Sequence, residues 1–269
     1  MSKEIRIDPN ETVSWNKKWI AFNTIFMKEI RRILRIWPQT LLPPVITMAL
    51  YFVIFGTMIG DRVGEMGGVP YMQFIVPGLI MMAVITNSYS NVVSSFFSAK
   101  FTASIEEILV SPVSKHAILM GYVSGGVFRG LTIAIIVSIV ALFFTELGVE
   151  HLFITIFTVL GTSILFSLGG FINAVYARSF DDISIIPSFV LTPLTFLGGV
   201  FYSMEDLSSF WQNISLLNPI VYMVNAFRYG ILGYSDVNVW SSMAAIFAFC
   251  VIFYIICYRL LSNGSRIRL

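Results

Sequence analysis

The sequence predicts an all-α, polytopic membrane protein with six transmembrane helices, and three observations carry that prediction. Of 269 residues, 57% are hydrophobic and 12% charged; soluble domains hold roughly 25% charged residues, so a soluble enzyme is excluded. Six stretches long enough for a bilayer core of ~30 Å contain no Asp or Glu, and only the third contains a cation, Arg129. The Lys and Arg residues between those stretches alternate between dense and sparse, as the two faces of a membrane require. The net charge of +2 is too balanced to suggest a nucleic-acid partner.

The first element precedes the membrane. Trp15, Trp19, Phe22, Phe26, Ile30, Ile33 and Trp37 recur at steps of three and four, while Lys17, Lys18, Lys28, Arg31, Arg32 and Arg35 cover much of the remaining surface. This pattern predicts an amphipathic helix in the cytoplasmic interface, its aromatic face among the acyl chains. One reading makes it a lipid anchor; another has it also transmit motion from a cytoplasmic partner to the first span. Pro38 and the Pro43-Pro44 pair permit a bend at the membrane entry. Residues 1–38 form this segment, which carries no cleavable signal pattern and is expected to be retained.

The six spans are expected within a transmembrane domain of residues 39–262, at residues 40–59, 71 to about 97, 116–144, 151–177, 183–204 and 237–258, with 263–269 as a cytoplasmic tail. A further charge-free interval, 207–227, holds Ser208, Ser209, Gln212, Asn213, Ser215, Asn218 and Asn225. Unsatisfied polar groups cost several kcal/mol in hydrocarbon, so this interval reads as interfacial or re-entrant. It lies in an outer segment, 203–237, with short helices expected at 205–216 and 219–232, the second opened by Pro219. Six spans place fourteen cations on one side and only Arg62 and Arg228 on the other, which puts both termini in the cytoplasm.

Several chemistries are missing. No carboxylate sits inside a span to relay protons, and His116 and His151 lie at span ends, away from any intramembrane serine. Cys250 and Cys257 share one helix face, and no metal site is expected from two Cys and two His so placed. No Gly-Lys dipeptide occurs, so the chain has no phosphate-cradling loop and is not expected to hydrolyse ATP. Ser124-Gly125-Gly126 reads as a patch for close helix packing. Arg129 either pairs with carbonyls or a hydroxyl inside the bundle or meets an anionic substrate head.

The longest internal cytoplasmic segment, 100–115, reads KFTASIEEILVSPVSK. Ser104 suits a helix N-cap, Glu106 and Glu107 suit the first turn, and Pro112 suits a stop, although a solvated linker fits the charge pattern as well. Glu106-Glu107-Ile-Leu-Val-Ser-Pro-Val-Ser, together with Phe180-Asp181-Asp182-Ile-Ser-Ile-Ile-Pro, Leu191-Thr-Pro-Leu-Thr-Phe-Leu-Gly-Gly-Val-Phe-Tyr202, Leu217-Asn-Pro-Ile-Val-Tyr222 and Phe227-Arg228-Tyr229-Gly230, resembles the permease subunit of ABC-2 type exporters. The resemblance runs from about Phe22 to the C-terminus.

That resemblance implies a homodimer of six-span subunits in a bacterial inner membrane. Each subunit engages a separate ABC ATPase that binds the ATP and Mg, and an amphipathic substrate moves outward. It implies that Ile105, Glu106, Glu107, Ile108 and Leu109 form a coupling helix docking in the ATPase, with the amphipathic helix of Trp19, Phe22, Phe26, Arg31, Arg32 and Arg35 beside it. It also implies re-entrant helices at 205–232, and it places Asp181 and Asp182 at the cytoplasmic start of the fifth span, where capping that helix is their plain structural role. The second and fifth spans, loosened by Pro77-Gly78, Pro187, Pro193 and Gly198-Gly199, are the expected walls of a path at the dimer interface. The alternative is an ATPase-independent secondary carrier or channel; a membrane-anchoring structural protein would need neither a kinked fifth span nor an outer cap.

Overall fold

The computed structural model describes residues 15–111 and 113–263. Residues 1–14 of the N-terminal segment, Pro112 as the expected helix stop, and residues 264–269 of the tail, with Arg266 and Arg268, lie outside the described residues.

Helix α1 spans Trp15–Arg35 and α2 spans Trp37–Tyr51, the two separated at Ile36, whose φ of −112° and ψ of 29° break the helix. The bend therefore falls one residue before the first turn that holds Pro38, and Pro43 and Pro44 sit inside α2. Wider, π-helical turns continue it over Phe52–Ile59 into α3, Gly60–Val63. A minimal hairpin follows, β1 (Glu65–Met66) antiparallel to β2 (Val69–Pro70), with Met66 opposite Val69. Then come α4 (Tyr71–Phe101), α5 (Ser104–Val110), α6 (Lys115–Ala141) and α7 (Leu152–Tyr176). Next, α8 (Asp182–Ile186) runs through π-helical Pro187–Leu191 into α9 (Thr192–Phe196). A 3₁₀ turn at Met204–Asp206 leads to α10 (Ser209–Leu216), α11 (Pro219–Leu232) and α12 (Val239–Asn263).

Five of these helical stretches are long and apolar enough to cross a membrane: Trp37–Gly56, Tyr71–Phe101, Lys115–Ala141, Leu152–Tyr176 and Val239–Asn263. The expected fifth span, 183–204, is instead a shorter apolar helix, Asp182–Phe196, about 22 Å long at 1.5 Å per residue. The chain leaves the helix at Gly198 and Gly199, the latter at φ +71°. There Val200 runs against α4 so closely that a Cβ on Gly78 would stand 2.9 Å from the Val200 Cα. A straight helix to 204 could not make that approach.

Helix α4 is the hub, packed against α6 and α7 along its length and buried over most of its surface. Small residues on α6 make this possible: a Cβ on Gly126, within the expected patch, would overlap Ser167 Oγ of α7, and one on Gly130, one turn beyond it, would overlap Ser88 Oγ of α4. Lys100, near the C-terminus of α4, donates from Nζ to the Val175 and Ala177 carbonyls, both at 2.8 Å. A cation on the last carbonyls of α7 satisfies groups that the helix leaves unpaired and opposes its dipole. Helices α2 and α12 lie at the periphery, with much of their apolar surface exposed.

Candidate functional site: a short exposed helix and the buried charges behind it

The turn into α5 is made by Ala103 at φ +57°, the one non-glycine residue with positive φ among the described residues. Ala103 occupies the N-cap position expected of Ser104, whose hydroxyl instead donates to the Ala99 carbonyl at 3.2 Å and ties α5 to the end of α4. Ile105 is fully buried, and Ile108 and Leu109 are half-buried against the core. These three hold the helix to the bundle, so Ile105 is not available to grip a partner as the sequence reading had it. The outward residues are Glu106, Glu107 and Val110, the last 82% exposed.

Helix α1 lies on α6. Ile25, Glu29 and Ile33 are buried, Phe22, Phe26 and Ile30 half-buried, and Trp15 and Trp19 exposed. The reason is on α6: Gly121 faces Ile25 and Gly125 faces Glu29, where an added Cβ would stand 2.7 and 2.6 Å away respectively. Small residues four apart let the two helices approach closely. Arg31 and Arg35 are exposed as expected, whereas Arg32 turns inward.

Arg32 completes a buried polar cluster with Glu29. The ion pair measures 3.0 Å, Arg32 also donates to Asn91 Oδ1 at 2.8 Å and to the Asn91 carbonyl at 3.1 Å, and Ser95 donates to Glu29. One turn away on α4, Asn87 Oδ1 accepts from Arg129 at 2.8 Å, and Arg129 also reaches the Thr40 carbonyl of α2 at 3.1 Å. The half-buried guanidinium is therefore inside the bundle, on protein acceptors. Asn87 and Asn91 carry α1, α2 and α6 on one face of the hub.

The opposite end holds a second cluster. Arg228 and Asp236 have fully buried side chains 3.5 Å apart. Arg228 donates to the Gly199 carbonyl at 2.6 Å and to the Phe74 carbonyl at 3.3 Å, with its guanidinium 3.8 Å from the Phe74 ring centroid. Asp236 accepts from Ser203 at 2.8 Å, from Tyr234 at 2.6 Å and from the Met204 amide at 3.1 Å. Burial, reinforced by that carboxylate, pushes the Tyr234 phenol up to about 12, so it stays a donor at neutral pH. Arg228, counted from the sequence as a cation on the outer side, is buried in this cluster.

Asp181 stands at the N-cap of α8 without a capping bond. Asp182 reaches backward, accepting from the Arg178 and Ser179 amides at 2.8 and 3.1 Å. Asp182 shapes the turn before α8, and neither side chain caps the helix. Glu29, Asn91 and the Arg228–Asp236 pair escaped the sequence reading; the spacing of Glu29 to Arg32 and of Asn87 to Asn91 was the available signal.

Five apolar helices long enough to cross a membrane among the described residues, with a short exposed helix between two of them, define an all-α polytopic membrane protein. The chain belongs to the ABC-2 type transporter membrane family, whose model matches residues 20–232. It is similar to the inner membrane transport permease YadH of Escherichia coli strain K12, 56% identical over 93% of this chain and 98% of that protein. It is also similar to nodulation protein J of Neorhizobium galegae, 22% identical over 94% of each chain.

Proposed function

We propose that this chain is the non-enzymatic permease subunit of an ABC exporter that moves an amphipathic substrate outward across a bacterial inner membrane. The observation that carries this reading is α5: it is fastened to the hub by Ile105 while Glu106, Glu107 and Val110 face outward. A partner that presses on this face moves the end of α4 with it. The partner is a separate ABC ATPase, which supplies ATP and Mg, in a complex of two permeases and two ATPases. Helix α1 sits beside this contact with Trp15 and Trp19 exposed to lipid.

In this reading Asp182–Phe196 and the turn after it count as the fifth of six spans, α10 and α11 are the re-entrant helices of the outer segment 203–237, and both termini are cytoplasmic. Residues 1–38 form the N-terminal segment, 39–262 the transmembrane domain and 263–269 the tail. The π-helical turns at Pro187–Leu191 leave the fifth span with few buried side chains, as suits a moving wall.

The test is reconstitution. Purified alone, the chain has no ATPase activity; co-expressed with its ATPase it copurifies in equal numbers, and flux of the exported substrate in liposomes requires ATP. Flux at the same rate without the ATPase establishes the carrier or channel reading instead.

A further inference from the structure

Two cavities flank the crossing of α7 and α11, and neither belongs to the coupling face. The first is an apolar groove of about 600 Å³ between α4, α6, α7 and α11, walled by residues such as Leu131, Ile135, Leu160 and Phe227. The second, of about 680 Å³, is a cleft between the starts of α7 and α12, in which Glu150, His151, Tyr229 and Asn238 are the polar side chains among apolar ones such as Trp240. One short loop borders both, because Gly148 and Val149 line the groove while Glu150 and His151 line the cleft.

The chemistry of that loop is one-sided. A Cβ on Gly148 would stand 3.8 Å from Glu150 Oε1 and 3.9 Å from the Ile231 carbonyl oxygen. The carboxylate has no ion pair among the described residues, and the Ile231 carbonyl belongs to the last turn of α11, the negative end of that helix dipole. His151 stands beside them in the cleft, its ring stacked on Tyr229 at 4.6 Å. Trp240 and Phe153, both more than 70% exposed, flank the cleft as aromatic side chains do at headgroup depth.

We propose that this junction binds one phospholipid with a primary-ammonium headgroup. The ammonium is held by Glu150 and the Ile231 carbonyl, the headgroup lies in the cleft, and an acyl chain fills the apolar groove. A headgroup with only a phosphate charge would set its anion against Glu150 with no fixed cation to offset it. The site lies within one chain and needs no ATPase, so it stands independently of the coupling reading.

The experiment uses the full chain purified in detergent, titrated with phosphatidylethanolamine and phosphatidylglycerol of identical acyl chains, with bound lipid counted by native mass spectrometry. The wild-type chain prefers phosphatidylethanolamine by about tenfold, as one charge-assisted contact allows. Glu150→Gln abolishes the preference, Glu205→Gln at an exposed acid elsewhere keeps it, and Ile135→Trp, an exposed position on the groove, reduces binding of both lipids. Equal binding of the two lipids by the wild-type chain overturns the proposal, as does a preference that survives Glu150→Gln, one that vanishes in Glu205→Gln, or binding indifferent to Ile135→Trp.

Discussion

The two buried ion pairs at opposite ends of the bundle are built for different tasks. Arg228 and Asp236 are both withdrawn from solvent, and their hydrogen bonds tie together Phe74, Gly199, Ser203, Met204 and Tyr234, which come from three separate stretches of chain. Glu29 and Arg32 sit one turn apart on a single helix, and the Arg32 side chain keeps 21% of its surface exposed. One cluster staples an end shut; the other rides on a helix fastened by one face. A mechanical input at the α5 end can therefore shift α1 and α4 together while the α11 end holds its shape.

The largest effect should come from Asp236→Asn. It leaves the Arg228 charge buried with carbonyls and a ring but no counter-charge, a change that costs about 3–5 kcal/mol. Thermal unfolding in detergent should show a lower midpoint, and the double change Arg228→Met with Asp236→Asn should recover much of the loss. A neutral Asp236→Asn would remove the staple from the comparison. Ile105→Ala should follow, at about 2–5 kcal/mol for a fully buried aliphatic side chain. Weaker copurification with the ATPase would then track the loss of folded protein, because Ile105 faces the bundle and not the partner.

Glu29→Gln should cost less, about 1–3 kcal/mol, since the amide still accepts from Ser95 and Arg32 still reaches Asn91 and water. Measured in the same unfolding assay, a loss equal to that of Asp236→Asn would erase the distinction between staple and joint.

Much of this fold was legible because a bilayer dictates helix length: intervals without charge, or with Arg129 alone in the third, located α4, α6, α7 and α12 to within five residues of their observed ends and the start of α2 to within three. The helix expected over 183–204 stops at Phe196 because its end depends on a distant approach, Val200 onto Gly78, that no local pattern reports. The stripe on α1 is one helical face by spacing, but α6 covers a neighbouring face: Trp15, Trp19 and Trp37 stay exposed while Ile25 and Glu29, outside the stripe, are buried, and periodicity does not say which face a neighbouring helix takes. Gly121 and Gly125 of α6 decide it, and they lie about a hundred residues further along the chain. Glu29 went unmarked in the sequence, and Arg228 was counted only as a cation on the outer side, since its partner Asp236 is brought back only by the turn at Gly233, where φ is +72°.

The smallest effect on stability should carry the largest effect on function. Val110 is 82% exposed on α5 and touches little of its own chain, and Glu106 and Glu107 beside it are exposed as well. Exposed substitutions away from caps and cores usually move stability by no more than about 0.5 kcal/mol, so Val110→Asp should leave the unfolding midpoint in place. If the outward face of α5 docks in an ATPase pocket, the new charge is desolvated without a partner, and copurification should fall by orders of magnitude. Glu106→Lys should be milder, because a rim charge alters association more than the centre of a contact. The two readouts separate the helix's inward and outward faces: Ile105→Ala moves stability, and Val110→Asp moves assembly alone. Should Val110→Asp copurify and transport normally, α5 would be an exposed linker, and the joint at this end would have no input to transmit.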